Sequence, residues 1–455
     1  MINQILLALN YIKDVVNLKH GETRLLKISN KYMNKYKVNI LSNKIPLISV
    51  PIKGAPTATA LVIIKAGSKY ETRENNGLSH FLEHMFFKGT EKRPNTLALS
   101  SELDSLGGEY NAFTAKEFTG YWVKVAAPKL PLALDIISDM LLDSKIEAEE
   151  IEREKGVIIE ELNMYEDNPL MHVEDVFEAC LYGDTPAGWE TIGTKKNIAG
   201  FKRADFLKYL ESQYGAKSMY IVLVGGIKSD IKKEAAKLFS KFKANKWQDK
   251  PAVKEAQKTP QLKVSYKKTD QTNLSLGVRA FPIGHPDEFK VKLLSIILGG
   301  SMSSRLFINL RERNGLAYYV RTMNETYSDS GYLTTQAGVP VAKVEAAIKI
   351  ILAEYKKLTT ELIGAKELKR AKDLLQGKSL LQMEATDNLA TWYARQAILR
   401  RKIMTPGEFL KKINKVTASE LRTVAQKIFV DNGLNLAIIG QAKTEKLEKL
   451  LSFKQ

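Results

Sequence analysis

Two histidines four residues apart, with a glutamate just before the second, occur at His80-Phe81-Leu82-Glu83-His84. On a helix, positions i and i+4 share one face, so both imidazoles can reach a single metal ion with Glu83 close beside them. Neutral imidazoles bind Zn²⁺ without cancelling its charge, and the ion stays acidic enough to bring the pKa of a bound water toward neutrality. A carboxylate outside the coordination sphere can then take the water's proton and pass it to a leaving amine. The order H-x-x-E-H inverts the commoner H-E-x-x-H metal motif. Chance is the competing reading, since the chain has five histidines, His20, His80, His84, His172 and His285, and such a pair can arise without a metal. What separates the two is a third ligand, expected to be a carboxylate on another helix.

The stretch from Glu152 to Pro169 supplies a candidate. It reads as a helix in which Glu154, Val157, Ile158 and Glu161 recur on one side. Glu154 and Glu161 stand two turns apart on that face, so Glu161 can ligate while Glu154 supports it from behind. Helix glutamates are ordinarily solvated charges, and that plain reading is taken for Glu152 and Glu160.

Taken together, His80-x-x-Glu83-His84, Glu161 placed 77 residues after His84, and the flanks Gly77–Thr90 and Leu106–Thr114 resemble the pitrilysin/insulinase family of zinc metallopeptidases. That family includes the mitochondrial processing peptidases and bacterial relatives. The resemblance implies that His80, His84 and Glu161 are zinc ligands, that Glu83 is the general base and that Glu154 lies behind the site. The preference for Glu161 over Glu160 rests on the family's step of four from Val157. The resemblance also implies roles for Arg311 and Tyr318, seven residues apart within Gly299–Val320: a guanidinium and a phenol suit a substrate carbonyl and the oxyanion formed as water attacks. Without it, Arg311 reads as a surface arginine and Tyr318 as a core aromatic. Residues Gly108 to Thr114 resemble the family's edge strand, to which a substrate peptide adds by backbone hydrogen bonding. Gly108, Asn111, Ala112 and Phe113 are the substrate-binding candidates, with Asn111 and Ala112 nearest the scissile bond. An ordinary strand inside a sheet is the alternative there.

The elements that must hold these groups repeat along the chain. Leu61–Gly67 is echoed by Leu276–Ala280, and Met219–Gly225 by Leu434–Gly440, with offsets of 214 or 215 residues. Each of the second pair follows a helix, Ala204 to Gln213 or Ala418 to Lys427. The expectation is an α+β fold of two homologous tandem domains, each a mixed or antiparallel sheet covered by helices. Residues 1–36 form an N-terminal extension, 37–244 the zinc-binding domain, 245–261 a lysine-rich linker with Pro251 and Pro260, and 262–455 the second domain. Shifting His80, Glu83 and His84 by 214 lands on Leu294, Ile297 and Leu298, so the second domain has no metal site and one Zn²⁺ per chain is expected.

Composition bounds the rest. At 455 residues the chain exceeds one hydrophobic core, and 44% hydrophobic with 26% charged residues describes an ordinary globular protein. No apolar run reaches the 18 or so residues of a membrane span. The single cysteine, Cys180, excludes an internal disulfide framework and fits a reducing compartment. The net charge of +18 is spread over dispersed lysines without a nucleic-acid motif, so no nucleic-acid partner is expected. Ile2, Ile5, Leu6, Leu9, Ile12 and Val16 make a helical stripe that lacks the marks of a signal or transit peptide, and a cytoplasmic location follows as the expectation.

The expected function is a zinc endopeptidase acting on peptides or unfolded and leader segments in a chamber. Larger members of the family enclose substrate between two halves, and this chain has one half's worth. The resemblance therefore implies a homodimer in which Arg311 and Tyr318 reach the zinc of the opposite subunit, or a heterodimer with an inactive homologue. A non-catalytic subunit or scaffold is the alternative function.

Overall fold

A computed structural model describes residues 35–442 and 444–454. The apolar stripe from Ile2 to Val16 lies outside the described residues. Two sheets dominate. The first holds β1 (Lys37–Ile40), β2 (Pro46–Pro51), β3 (Thr57–Ile64), β4 (Glu109–Thr114), β5 (Thr119–Ala126) and β6 (Met219–Gly225) in the spatial order β1-β2-β6-β3-β5-β4. The second holds β7 (Gln261–Ser265), β8 (Gln271–Arg279), β9 (Tyr319–Thr326), β10 (Gly331–Pro340) and β11 (Leu434–Ile439) in the order β7-β11-β8-β10-β9. Apart from the extra β1, the orders are identical. β2 pairs β6 in parallel as β7 pairs β11, and the remaining neighbours are antiparallel. The internal repeat is thus a duplication of topology.

The helices of the first half are α1 (Leu78–Met85), α2 (Thr96–Ser105), α3 (Leu130–Leu142), α4 (Ala148–Asp167), α5 (Pro169–Tyr182), α6 (Lys195–Gly200), α7 (Arg203–Gln213) and α8 (Ile231–Leu238). Those of the second are α9 (Glu288–Gly299), α10 (Val344–Thr360), α11 (Ala365–Gln382), α12 (Thr386–Leu399), α13 (Pro406–Lys415), α14 (Ala418–Ile428) and α15 (Thr444–Glu448). Phe81, Leu82 and Met85 of α1, Leu134 and Ile137 of α3 and Ile158 of α4 form one core with the inner face of the first sheet.

The central strands are apolar on both faces, as Thr57–Ile64 (TATALVII) and Met219–Gly225 (MYIVLVG) show, so each sheet must be covered twice. The second cover is exchanged between the halves. Leu389, Tyr393, Ala394 and Ile398 of α12 lie on Ile48, Leu61, Ile63 and Val222 of the first sheet. Reciprocally, Val173, Val176, Phe177 and Leu181 of α5 lie on Tyr332, Ala437 and Ile439 of the second. Gly277 permits that approach, since a Cβ there would stand 2.8 Å from the Phe177 ring.

The segment between the sheets is fastened to both halves. Trp247 Nε1 donates to the Lys65 carbonyl at 2.9 Å, and Lys250 Nζ pairs with Asp329 at 2.7 Å. Buried Lys69 bridges Glu117 at 2.9 Å and Asp329 at 2.6 Å. Gln261, the last residue assigned to the linker from sequence, opens β7. Because Tyr393 is fully buried at the exchanged contact, Tyr393→Ala is expected to cost about 3–5 kcal/mol. Urea unfolding followed by fluorescence and by far-UV circular dichroism should show both halves melting in one shifted transition. Loss of the second half alone would contradict the interlock.

Candidate active site

Helix α1 buries Leu78, Phe81, Leu82 and Met85 and turns His80, Glu83 and His84 toward α4. Helix α4 buries Ile151, Glu154, Ile158 and Leu162, which brings Glu161 opposite the two imidazoles. Glu152 and Glu160 are exposed, as is Val157 at 52%. Nε2 of His84 lies 3.4 Å from Glu161 Oε2, and Nε2 of His80 lies 3.7 Å from Glu161 Oε1. One ligand atom from each of the three residues falls within 4.8 Å of the others, the one such cluster among the described residues. Ligands at about 2.0–2.1 Å from a tetrahedral zinc stand about 3.3 Å apart, so the 3.4 Å spacing of His84 and Glu161 is close to such an edge and the others, up to 4.8 Å, are wider. Two imidazoles and one carboxylate are a donor set that fits zinc.

Behind the ligands, His84 Nδ1 meets Glu154 Oε1 at 2.9 Å, and Lys88 Nζ closes on the other oxygen of Glu154. This fixes the His84 ring with Nε2 facing the metal position. Without metal the two imidazoles part in behaviour. Burial and the neighbouring His84 depress His80 to about 4. Burial also opposes protonation of His84, but hydrogen bonds and attraction from Glu154 and Glu161 outweigh it and raise this imidazole to about 9. Glu83 is raised by burial, against a 2.5 Å hydrogen bond donated by Thr114 Oγ1 to its Oε2.

Strand β4 lies at the edge of the first sheet and, among the described residues, pairs only with β5. Its alternation sends Tyr110, Ala112 and Thr114 toward the core beneath α1, while Phe113 points to the opposite face and Asn111 is exposed. Gly108 enters the strand where a Cβ would meet the Lys124 carbonyl at 2.7 Å. Arg311 and Tyr318 are not brought to this site. Arg311 lies in the last turn of a π-helix, Phe307–Arg313, and donates to the Tyr318 carbonyl at 2.9 Å. Among the described residues neither side chain bonds a zinc-site residue, and Tyr318 is 77% exposed. Leu294, Ile297 and Leu298, the counterparts of His80, Glu83 and His84, are buried core in α9.

The match to known proteins follows the same lines. The signature of Insulinase (Peptidase family M16) covers residues 48–195, and that of the Peptidase M16 inactive domain covers 200–375. An uncharacterised zinc protease of Bacillus subtilis is 33% identical over 389 residues, which is 85% of this chain and 94% of that protein. The chain belongs to peptidase family M16. The β subunit of the bovine (Bos taurus) mitochondrial-processing peptidase is 30% identical over 88% of this chain and 83% of its own length. A crystal structure of a protease from Helicobacter pylori superposes with a TM-score of 0.85 at 23% identity, covering 90% of this chain and all of that one. The "inactive" label of the second M16 signature agrees with a second half that has apolar core where the first has His80, Glu83 and His84.

Two contributors escaped the sequence reading of this M16 chain. Lys88 is four residues beyond His84, a helical spacing that could have marked it. Thr114 is two residues beyond Ala112, so the period of a strand puts both on one face. A third feature had no local signal. A cleft of about 570 Å³ opens between the halves, beginning at Phe113 and at Tyr165, one helical turn past Glu161. Glu174, Asp175, Glu178 and Glu325 line it, opposed by Lys116 and Arg395. Burial, with help from Glu178 and Glu190, raises Asp175 to about 7.

Proposed function

We propose that this chain is a zinc-dependent endopeptidase that hydrolyses peptides or unfolded and leader segments. The observation that carries the reading is the His80–His84–Glu161 donor set with Glu83 beside it and outside it. Zinc, when bound there, would supply Lewis-acid activation of water and of the scissile carbonyl. Glu83, half-buried and held by Thr114, takes the proton from the attacking water and delivers it to the departing amine. Strand β4 offers its free edge to an extended peptide, so backbone pairing gives affinity without strict side-chain readout. His84 is kept in the ligating tautomer by Glu154, itself held by Lys88.

The acidic cleft beside the site favours a basic side chain on the substrate, despite the chain's net charge of +18. Since Asp175 gains its charge only as pH rises through about 7, discrimination between an arginine-bearing peptide and its norleucine analogue is expected to grow from pH 6 to pH 8. Asp175→Asn should flatten that profile; an unchanged profile would remove Asp175 from recognition.

Arg311 and Tyr318 complete the site from a second copy of the chain, each subunit lending its pair to the other's zinc. The exposure of Tyr318 and its separation from the ligands support this arrangement. Glu83→Gln and Tyr318→Phe chains, each inactive alone, should regain about a quarter of wild-type activity when mixed, because half the dimers are hybrids with one intact site. No recovery would place the pair in its own chain's site, and an active Tyr318→Phe chain alone would place Tyr318 outside catalysis.

The test of the function itself is zinc content together with cleavage of an internally quenched, unstructured peptide, before and after chelation. About one zinc per chain is expected, with cleavage lost on chelation and restored by zinc. Zinc without cleavage would favour the second reading, a non-catalytic or partner-dependent subunit of a processing-peptidase-like complex, which the "inactive" second signature keeps in view. No zinc in the wild type would remove the metal assignment.

A further inference from the structure

Helix α1 has to begin without a cap of its own. Its N-cap is Gly77, at φ +100, with no side chain to accept from the first turn. Nor could a larger residue stand there: a Cβ on Gly77 would lie 2.6 Å from the Ile192 carbonyl and 2.9 Å from Gly193 Cα. Gly193 is equally confined, since its own Cβ would meet the Asn76 carbonyl at 2.5 Å. The start of the helix is thus pressed against the loop before α6, and its free N–H groups must be satisfied from elsewhere.

Glu71 satisfies them. It is 2% exposed, and Oε2 accepts from Gly77 N at 2.9 Å and from Asn76 Nδ2 at 3.1 Å, while Oε1 accepts from Ser79 N at 2.6 Å. Asn76 Nδ2 also donates to the Glu190 carbonyl at 3.0 Å, which ties the same carboxylate to the neighbouring loop. One buried side chain does what a capping box does with two, and its two oxygens stand at the positive end of the helix dipole. The last amide it holds belongs to Ser79, the residue before His80.

We propose that Glu71 is the positioning residue of the metal-binding helix, fixing the first turn of α1 and with it the His80 imidazole relative to His84 and Glu161. The inference rests on the zinc reading of that site. A cap that served only folding would change stability and leave the metal affinity of the folded protein alone. A positioning role changes the affinity itself, because misplacing one of three ligands weakens the whole set.

The experiment compares full-length wild type, Glu71→Gln and Thr405→Ala by chelator-competition zinc binding and by thermal melting of the metal-free protein. Thr405 is a suitable control: it is 7% exposed and caps α13 through Glu408 N at 3.2 Å. Glutamine keeps the shape of Glu71, but it has one accepting oxygen and turns an amide toward the amides of α1. Both variants should melt lower than wild type, while Glu71→Gln alone weakens zinc by about 10- to 100-fold. Wild-type zinc affinity in folded Glu71→Gln overturns the proposal. If Glu71→Gln does not fold, Asn76→Ala decides, since it removes one donor and leaves the carboxylate: zinc weakened by about 3-fold or more supports positioning, and unchanged affinity overturns it. A wild type that binds no zinc would overturn the metal reading itself, a result independent of Glu71.

Discussion

Glu83→Gln is expected to retain about one zinc per chain while kcat/KM for an unstructured peptide falls by about 10²- to 10⁴-fold. Glutamine has nearly the shape of glutamate, and its carbonyl can still accept the 2.5 Å hydrogen bond from Thr114. In the proposed site the ligand atoms belong to His80, His84 and Glu161, so the metal set would be untouched. What disappears is a group able to take a proton from water and return it to the amine. The loss should fall on kcat more than on KM, because the interaction is made in the transition state. Activity within a few-fold of wild type would exclude Glu83 as the base. Loss of zinc together with activity would make Glu83 a ligand and reassign the site.

His84→Ala should act on the metal. This imidazole meets Glu154 on one nitrogen and faces Glu161 with the other, so in the proposed site it is both ligand and the link to the supporting carboxylate. Zinc retention and cleavage are both expected to vanish at micromolar protein. The metal-free chain carries a second signature. His84 is raised to about 9, above its ordinary value of 6.5, through Glu154 and Glu161 against the opposing effect of burial. A folded-state pKa above the unfolded one stabilises fully below about 6.5 and loses that contribution as pH rises through about 9. Allowing for partial exposure, the contribution is on the order of 2 kcal/mol. Chelated wild type and His84→Ala should therefore differ in urea stability at pH 6 and converge near pH 10. Zinc must also displace this proton, so its apparent affinity should climb between pH 6.5 and 9. A stability difference independent of pH would show that His84 is neutral in the metal-free fold.

The legible part of the site is the part written in local geometry. An i, i+4 pair lies on one face of any helix, so His80 and His84 point to a common metal before any fold is known. The glutamates of α4 were sorted by the same periodicity, although it grouped exposed Val157 with Glu161. The duplicated strands were legible because both copies keep apolar runs that only a doubly covered sheet requires.

Other features are relations between residues distant in sequence. That α5 and α12 cover each other's sheets cannot be read from either helix, because periodicity tells that a face is buried and not what buries it. The cleft that joins Phe113, Asp175, Glu325 and Arg395 exists only after that exchange. Tyr318, an aromatic residue that composition alone would send to a core, stands 77% exposed because the turn after the π-helix carries it outward. Glu71 reads as one more charged residue in a loop, and its burial follows from a glycine contact between Gly77 and Gly193 that forbids α1 a cap of its own. The amino-acid sequence by itself displayed the H-x-x-E-H spacing of α1, the periodicity of α4 and the repeated strand patterns, since each is written in the order of residues within one element. Which carboxylate meets which imidazole, and what closes over the sheets, was decided by tertiary packing, where the desolvation of each charge depends on neighbours 70 or more residues away.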